Sequence, residues 1–186
     1  KRVSLDAMFL NEARAAAGLS HPHIVTVHDA GLSAHGVYIA MERLRGRDLR
    51  QALASGWRPA PVDAATLVRR VADALAYAHA QGYLHGDVKP GNILFRADGS
   101  AVLTDFGIAR PSERSSQETQ LGVVVGTPQY MSPEQIRGRA TDARSDLYAL
   151  GIVLYEMATG EPPFAGTFAT PEITRRALRS ISKRKF

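Results

Sequence analysis

The chain is 186 residues long, carries a formal net charge of +5 and contains no cysteine. This length buries a real core as one domain or as two small lobes, and the lack of cysteine excludes a disulfide framework and any thiolate metal site. The positive residues are scattered except for Arg175, Arg176, Arg179 and Lys183 to Lys185, a pattern read as a solvated basic tail, so no nucleic-acid partner is expected.

In chain order, Asp6 to Ala17 is predicted to be a helix, with Phe9, Ala13 and Ala16 on one face and Gly18 at the C-terminal cap position. Ile24 to Val27 and Val37 to Met41 read as strands. Asp48 is a candidate N-cap for a helix from Leu49 to Ala54. Asp63 is the predicted N-cap of a long helix in which Leu67, Val71 and Leu75 recur four apart and which Gly82 ends. Ile93 to Phe95 and Ala101 to Leu103 are short apolar runs around Asp98-Gly99, a strong signal for a tight hairpin. A second buried helix is predicted from Ser145 to Thr159. The most apolar stretch, Leu147 to Met157, contains Tyr148, Gly151, Tyr155 and Glu156 and is too short to span a bilayer. With no charged-then-apolar leader in view, the expected location is cytoplasmic, or a cytoplasmic part of a longer protein that carries its own membrane segment.

Residues 85–107 read HGDVKPGNILFRADGSAVLTDFG and hold the most chemistry. Asp87 is suited to accepting a hydroxyl proton, Lys89 to neutralising phosphate charge, and Asn92 with Asp105 to holding a divalent cation through hard oxygen ligands. The predicted hairpin returns Asp105 to the neighbourhood of Asn92.

This run resembles the catalytic loop and metal-binding turn of the Ser/Thr protein kinases of the Hanks type, in their bacterial form. The resemblance extends from about Glu12 to Phe164 through NEARAAAGLSHPHIV, VYIAMERLRG, HGDVKPGN, DFGIAR, GTPQYMSPEQ, SDLYALGIVLYEMATG and PPF, in kinase order. It implies an α+β, protein-kinase-like fold. Residues 1–44 would form a partial N-terminal β lobe with the family's αC helix and hinge, and residues 45–186 a mostly helical C-terminal lobe. The implied activity is transfer of the γ-phosphoryl group of ATP, with Mg²⁺ or Mn²⁺, to Ser and Thr hydroxyls of protein substrates, including autophosphorylation.

By the same resemblance, Glu12 is the helix glutamate that pairs with a nucleotide-anchoring lysine. Lys1 is the candidate partner, although eleven positions separate the two, fewer than is usual in the family. A short loop, absent residues or a lysine lying elsewhere each account for that spacing. Met41 resembles the gatekeeper, and Glu42 to Leu44 the hinge whose main chain reads adenine. Asp48 matches the position facing the ribose, and Leu94 joins the nucleotide-binding set. Asp87 and Lys89 are the implied catalytic residues, and Asn92 and Asp105 the metal ligands. His85 is implied to be structural, packed under Phe106. Thr127, with Lys89, matches the pairing that marks Ser/Thr specificity. Thr119, eight residues before it, is the candidate autophosphorylation site. Glu134 is in the place of a glutamate that salt-bridges an arginine late in the C-terminal lobe.

At Gly86 the family pattern breaks. Most regulated kinases have arginine there, and that arginine reads a phosphate on the activation segment; with glycine the chemistry stays possible while phosphate gating is not expected. No GxGxxG motif occurs, and 22 residues follow Phe164, whereas a complete kinase domain runs to roughly 250. The expectation is therefore a kinase domain incomplete at both ends. Two other readings stay open: a pseudokinase or regulatory module that keeps the kinase shape, and a small-molecule phosphotransferase, against which GTPQYMSPEQ speaks.

Overall fold

The computed structural model describes residues 17–34, 36–106 and 128–164. Apart from its last residue, Ala17, the helix predicted from Asp6 lies outside them.

An antiparallel pair comes first, β1 (Val27–Ser33) and β2 (Gly36–Met41), in register from Val27–Met41 to Ser33–Gly36 with a bulge between Val27 and Asp29. The strand expected at Ile24 to Val27 is thus corrected: β1 begins where that run ends and continues through the mixed run His28 to Ser33. Its alternation is weak because most of its residues are exposed, so no apolar period marked it. Ile24 itself makes an isolated parallel bridge to Leu103.

Two helices follow. In α1 (Leu49–Ala54) the Asp48 carboxylate accepts from the Gln51 amide at 2.6 Å while the Gln51 side chain accepts from the Asp48 amide, a reciprocal capping box. The long helix α2 (Pro61–Ala80) starts two residues before the predicted cap. Proline suits the first helical position because its φ is preset and its missing N–H would have had no partner there. Ala60 takes the cap position and Asp63 falls in the first turn, where its charge complements the helix dipole. The predicted stripe is intact: Leu67, Val71 and Leu75 are buried, with Ala64, Ala74 and Ala78 beside them. Each large member contributes about 1.5–3 kcal/mol by leaving water.

Next comes the hairpin, β3 (Ile93–Phe95) with β4 (Ala101–Leu103), as read from sequence. Arg96 and Ser100 close it through an N–H to carbonyl bond of 2.9 Å, and Gly99 sits at φ 78, a three-residue connection whose last position favours glycine. Both edges of the hairpin are occupied. On one side Val25 donates to the Leu103 carbonyl at 2.9 Å and Leu103 donates to His23 at 2.8 Å. On the other, Phe95 donates to Arg47 at 3.1 Å and Asp48 bridges Leu94. Gly46 makes this approach possible, since a Cβ there would lie 1.9 Å from the Phe95 carbonyl oxygen.

The last elements are the short helix α3 (Pro133–Ile136) and α4 (Ala143–Thr159), capped by Asp142 and ended by Gly160 at φ 92. α2 packs against α4 and β4. One apolar cluster joins Leu67, Val71 and Leu75 to Val88, Ile93 and Leu103 of the loop and hairpin and to Leu150, Val153 and Met157 of α4.

Candidate active site

His85 to Lys89 carry no regular structure and lead into a 3₁₀ turn, Pro90–Asn92. That turn folds Asn92 back so that its Nδ2 donates to the Asp87 main-chain carbonyl at 2.9 Å and to Oδ2 of Asp87 at 3.3 Å. Lys89 Nζ forms an ion pair with the same Oδ2. The acid, ammonium and amide picked out in the sequence therefore converge on one point, with Asp87 and Lys89 still open to solvent on one side.

Beneath the loop lies a buried layer. The His85 ring is 1% exposed, packs 4.9 Å from the Phe106 ring, and bonds the Thr104 carbonyl through Nε2 at 3.1 Å. Burial, only partly offset by the charge of Asp146, holds its pKa below the ordinary histidine value, so it stays a neutral structural group. Asp146, on α4, is 2% exposed. Its Oδ2 accepts from the His85 amide at 2.9 Å and from His79 Nε2 at 2.8 Å, and its Oδ1 accepts from the Gly86 amide at 2.7 Å. Burial alone pushes this carboxyl up, but the His79 bond, the field of His85 and the two amides outweigh it and hold the pKa below the ordinary carboxylate value.

Asp105 follows shortly after the end of β4. Thr104 donates its amide to the Asn92 carbonyl at 2.9 Å, which sets the neighbouring Asp105 close to Asn92 as predicted. Asp105 is exposed and has φ 49, a left-handed conformation that aspartate tolerates better than most residues. No group of three or more His, Cys, Asp or Glu able to hold a metal exists among the described residues. The donors that are present suit a different kind of site. Asn92 has its Nδ2 committed to Asp87, leaving Oδ1 as its acceptor. One amide oxygen with one carboxylate fits Mg²⁺, which takes few protein ligands and completes its shell with phosphates and water.

Of the residues assigned to nucleotide binding, Met41, Glu42, Leu44, Asp48, Asn92 and Leu94 are among those described. Met41 ends β2 and is 40% exposed. The Glu42 amide donates to Thr26 at 2.8 Å, and its carboxylate receives two bonds from Arg96, at 3.1 and 2.9 Å. The Arg96 bond is the main reason the Glu42 pKa lies below its ordinary value. Arg96 also donates to the Pro22 carbonyl at 2.6 Å. Leu44 is half-buried and Leu94 sits in β3. Asp48 is engaged as the α1 cap and by Arg50 at 3.4 Å.

Lys1, Glu12, Thr119 and Thr127 lie outside the described residues. Glu134 bonds the Ser145 hydroxyl at 2.5 Å. Sequence reasoning missed three residues: Asp146, Gln135 and Arg96. Asp146 left a signal, because it shares the α4 stripe of Ala149, Leu150, Val153 and Met157, and an acid on a buried stripe needs partners. Gln135 and Arg96 left none, since their partners lie far away in sequence.

The family model described as Protein kinase domain matches residues 1–185. A Corynebacterium efficiens protein named as a probable serine/threonine-protein kinase is 48% identical over 171 residues, covering 89% of this chain and 26% of its own length. Serine/threonine-protein kinase PknB of Mycobacterium leprae is 46% identical, covering 85% of this chain and 26% of its own. A Streptomyces coelicolor protein, also named as a probable serine/threonine-protein kinase, is 43% identical over 88% of this chain and 25% of its own. The chain thus spans about a quarter of the length of the curated relatives it matches.

Proposed function

The chain belongs to the protein kinase domain family, and from that membership we propose that it transfers the γ-phosphoryl group of MgATP to Ser and Thr hydroxyls of protein substrates. The convergence of Asp87, Lys89 and Asn92 on one point carries the proposal.

In this reading the acceptor hydroxyl sits against the Asp87 carboxylate, which orients it and takes its proton as the oxygen attacks the γ-phosphorus and the bond to ADP breaks. Lys89 offsets charge on the transferred group. Asn92 and Asp105 would hold Mg²⁺ or Mn²⁺, and a bound cation neutralises the phosphates. Lys1 and Glu12 would form the pair that anchors the nucleotide, with Met41 as gatekeeper. The Glu42 amide is engaged by Thr26, so the adenine edge would meet the Glu42 carbonyl and the Leu44 main chain, with Asp48 and Leu94 beside the nucleoside. Thr127 would act with Lys89 in Ser/Thr selection, and Thr119 would be the site of autophosphorylation. Residues 1–44 and 45–186 would be the two lobes. Among the described residues no helix is long and apolar enough to cross a membrane, and we place the domain in the cytoplasm.

In the full-length protein, Asp87→Asn and Asp105→Asn should each lower phosphate transfer from labelled ATP into a basic protein acceptor on the order of 10²-fold or more, with circular dichroism unchanged. Undiminished transfer by both variants would sink the assignment.

A further inference from the structure

Gln135 does more than cap a helix. At the start of α3 the Ser132 hydroxyl accepts from the Gln135 amide at 3.4 Å, and the Ser132 amide donates to Gln135 Oε1 at 2.8 Å. Glutamate serves such a box equally well, so capping alone does not account for an amide side chain. Its Nε2 reaches the main-chain carbonyl of Gly86 at 2.8 Å, across 49 positions of sequence.

That carbonyl belongs to the peptide unit joining Gly86 to Asp87. The N–H of the same unit donates to His85 Nδ1 at 3.2 Å, so the plane that sets the Asp87 backbone is held at both ends. The hold matters here because Gly86 has φ 74 and nothing within 4 Å of where a Cβ would be. Gly86 contributes no side chain that would restrict rotation of that unit. A small cleft adjoins it, lined by Gly86, Asp87 and Asp146 together with Tyr130, Met131 and Gln135.

We propose that Gln135 is a positioning residue for phosphoryl transfer: its side-chain amide fixes the Gly86–Asp87 peptide, aims the Asp87 carboxylate, and ties it to the segment walling the cleft. The proposal rests on the kinase reading above and adds a coupling to it. With no side chain at position 86 to read a phosphate, a neutral hydrogen bond links the catalytic loop to its facing wall at all times.

The test uses the full-length protein and three measurements: steady-state transfer from MgATP to a basic protein acceptor, the urea unfolding midpoint, and amide hydrogen exchange at Asp87. Gln135→Glu keeps the capping acceptor and removes the donor. It should leave the midpoint and the KM for ATP in place, lower kcat about tenfold because a small misplacement of a reacting group is costly, and speed exchange of the Asp87 amide. Gln135→Arg restores a donor without the capping acceptor and should recover most of the lost kcat while lowering the midpoint. A wild-type kcat in Gln135→Glu, a kcat that falls only in step with the midpoint, or a Gln135→Arg no better than Gln135→Glu would overturn the proposal. If the wild-type protein transfers no phosphate, the kinase reading fails and the positioning role with it. Exchange at Asp87 that is unchanged in Gln135→Glu removes the tether itself, whatever the activity.

Discussion

Replacing Asp146 by asparagine should destabilise the protein severely for so small a change. The carboxylate is 2% exposed and accepts three bonds, from Gly86 on one oxygen and from His85 and His79 on the other. An asparagine has one oxygen. In its better orientation that oxygen keeps His85 and His79, and its NH₂ group faces the Gly86 N–H, donor against donor. One buried donor left unsatisfied costs about 1–3 kcal/mol, and the two remaining bonds lose charge assistance worth roughly 1 kcal/mol each. The sum, about 3–5 kcal/mol, matches the usual cost of breaking a buried charged network and is a large part of a domain's whole stability. Solvent screening does not reduce it at this depth. Urea unfolding followed by fluorescence of Trp57, the single tryptophan of the chain, reads the loss directly. A loss below about 1 kcal/mol would mean that Asp146 holds the catalytic loop no better than a surface contact does, and the account of the buried layer would fail.

Arg96→Gln breaks the paired bonds to Glu42. Both side chains are more than a quarter exposed, 27% and 28%, so stability should fall by no more than about 1 kcal/mol, while the KM for ATP rises severalfold with kcat nearly unchanged; initial rates at varied ATP check this, and an unchanged KM refutes it. The third expectation concerns pH. The His85 pKa is held low by burial, so below the ordinary histidine value of about 6.5 the unfolded chain binds a proton that the folded one refuses. Stability should therefore fall as pH is lowered from 7.5 to 5.5, and His85→Asn should flatten that slope; unfolding free energies with equal slopes in the two proteins would contradict it.

Much of the fold was legible because it is local. The α2 stripe of Leu67, Val71 and Leu75, the N-cap at Asp48 and the β3–β4 hairpin each depend on residues within a few positions of one another, where spacing carries the information. The packing of His85 under Phe106 was legible through the family resemblance alone. The start of α2 was misread because an N-capping aspartate and an N1 proline compete within three positions, and the proline decided it. β1 was misplaced because an exposed strand has no apolar period to show. Asp146, Gln135 and Arg96 act across 60, 49 and 54 positions, and no local rule gives the partner of a polar side chain at such range.

The closed edges of the β3–β4 hairpin bear on how the chain reaches this state. The hairpin is local and forms early, but Ile24 must arrive from 79 positions away to cover β4, and Asp48 from 46 to cover β3. Contacts of that separation come late in folding, because the intervening chain must first be closed into a loop. Until then Ala101 to Leu103, wholly buried in the native state, present an unpaired apolar edge, the kind of surface that recruits a second chain. Residues 23–25 therefore serve as a guard segment over that edge. Substitutions that weaken their pairing, such as proline at Val25, whose amide bonds Leu103, should show first as aggregation during synthesis or refolding, before any loss of catalysis in the molecules that fold.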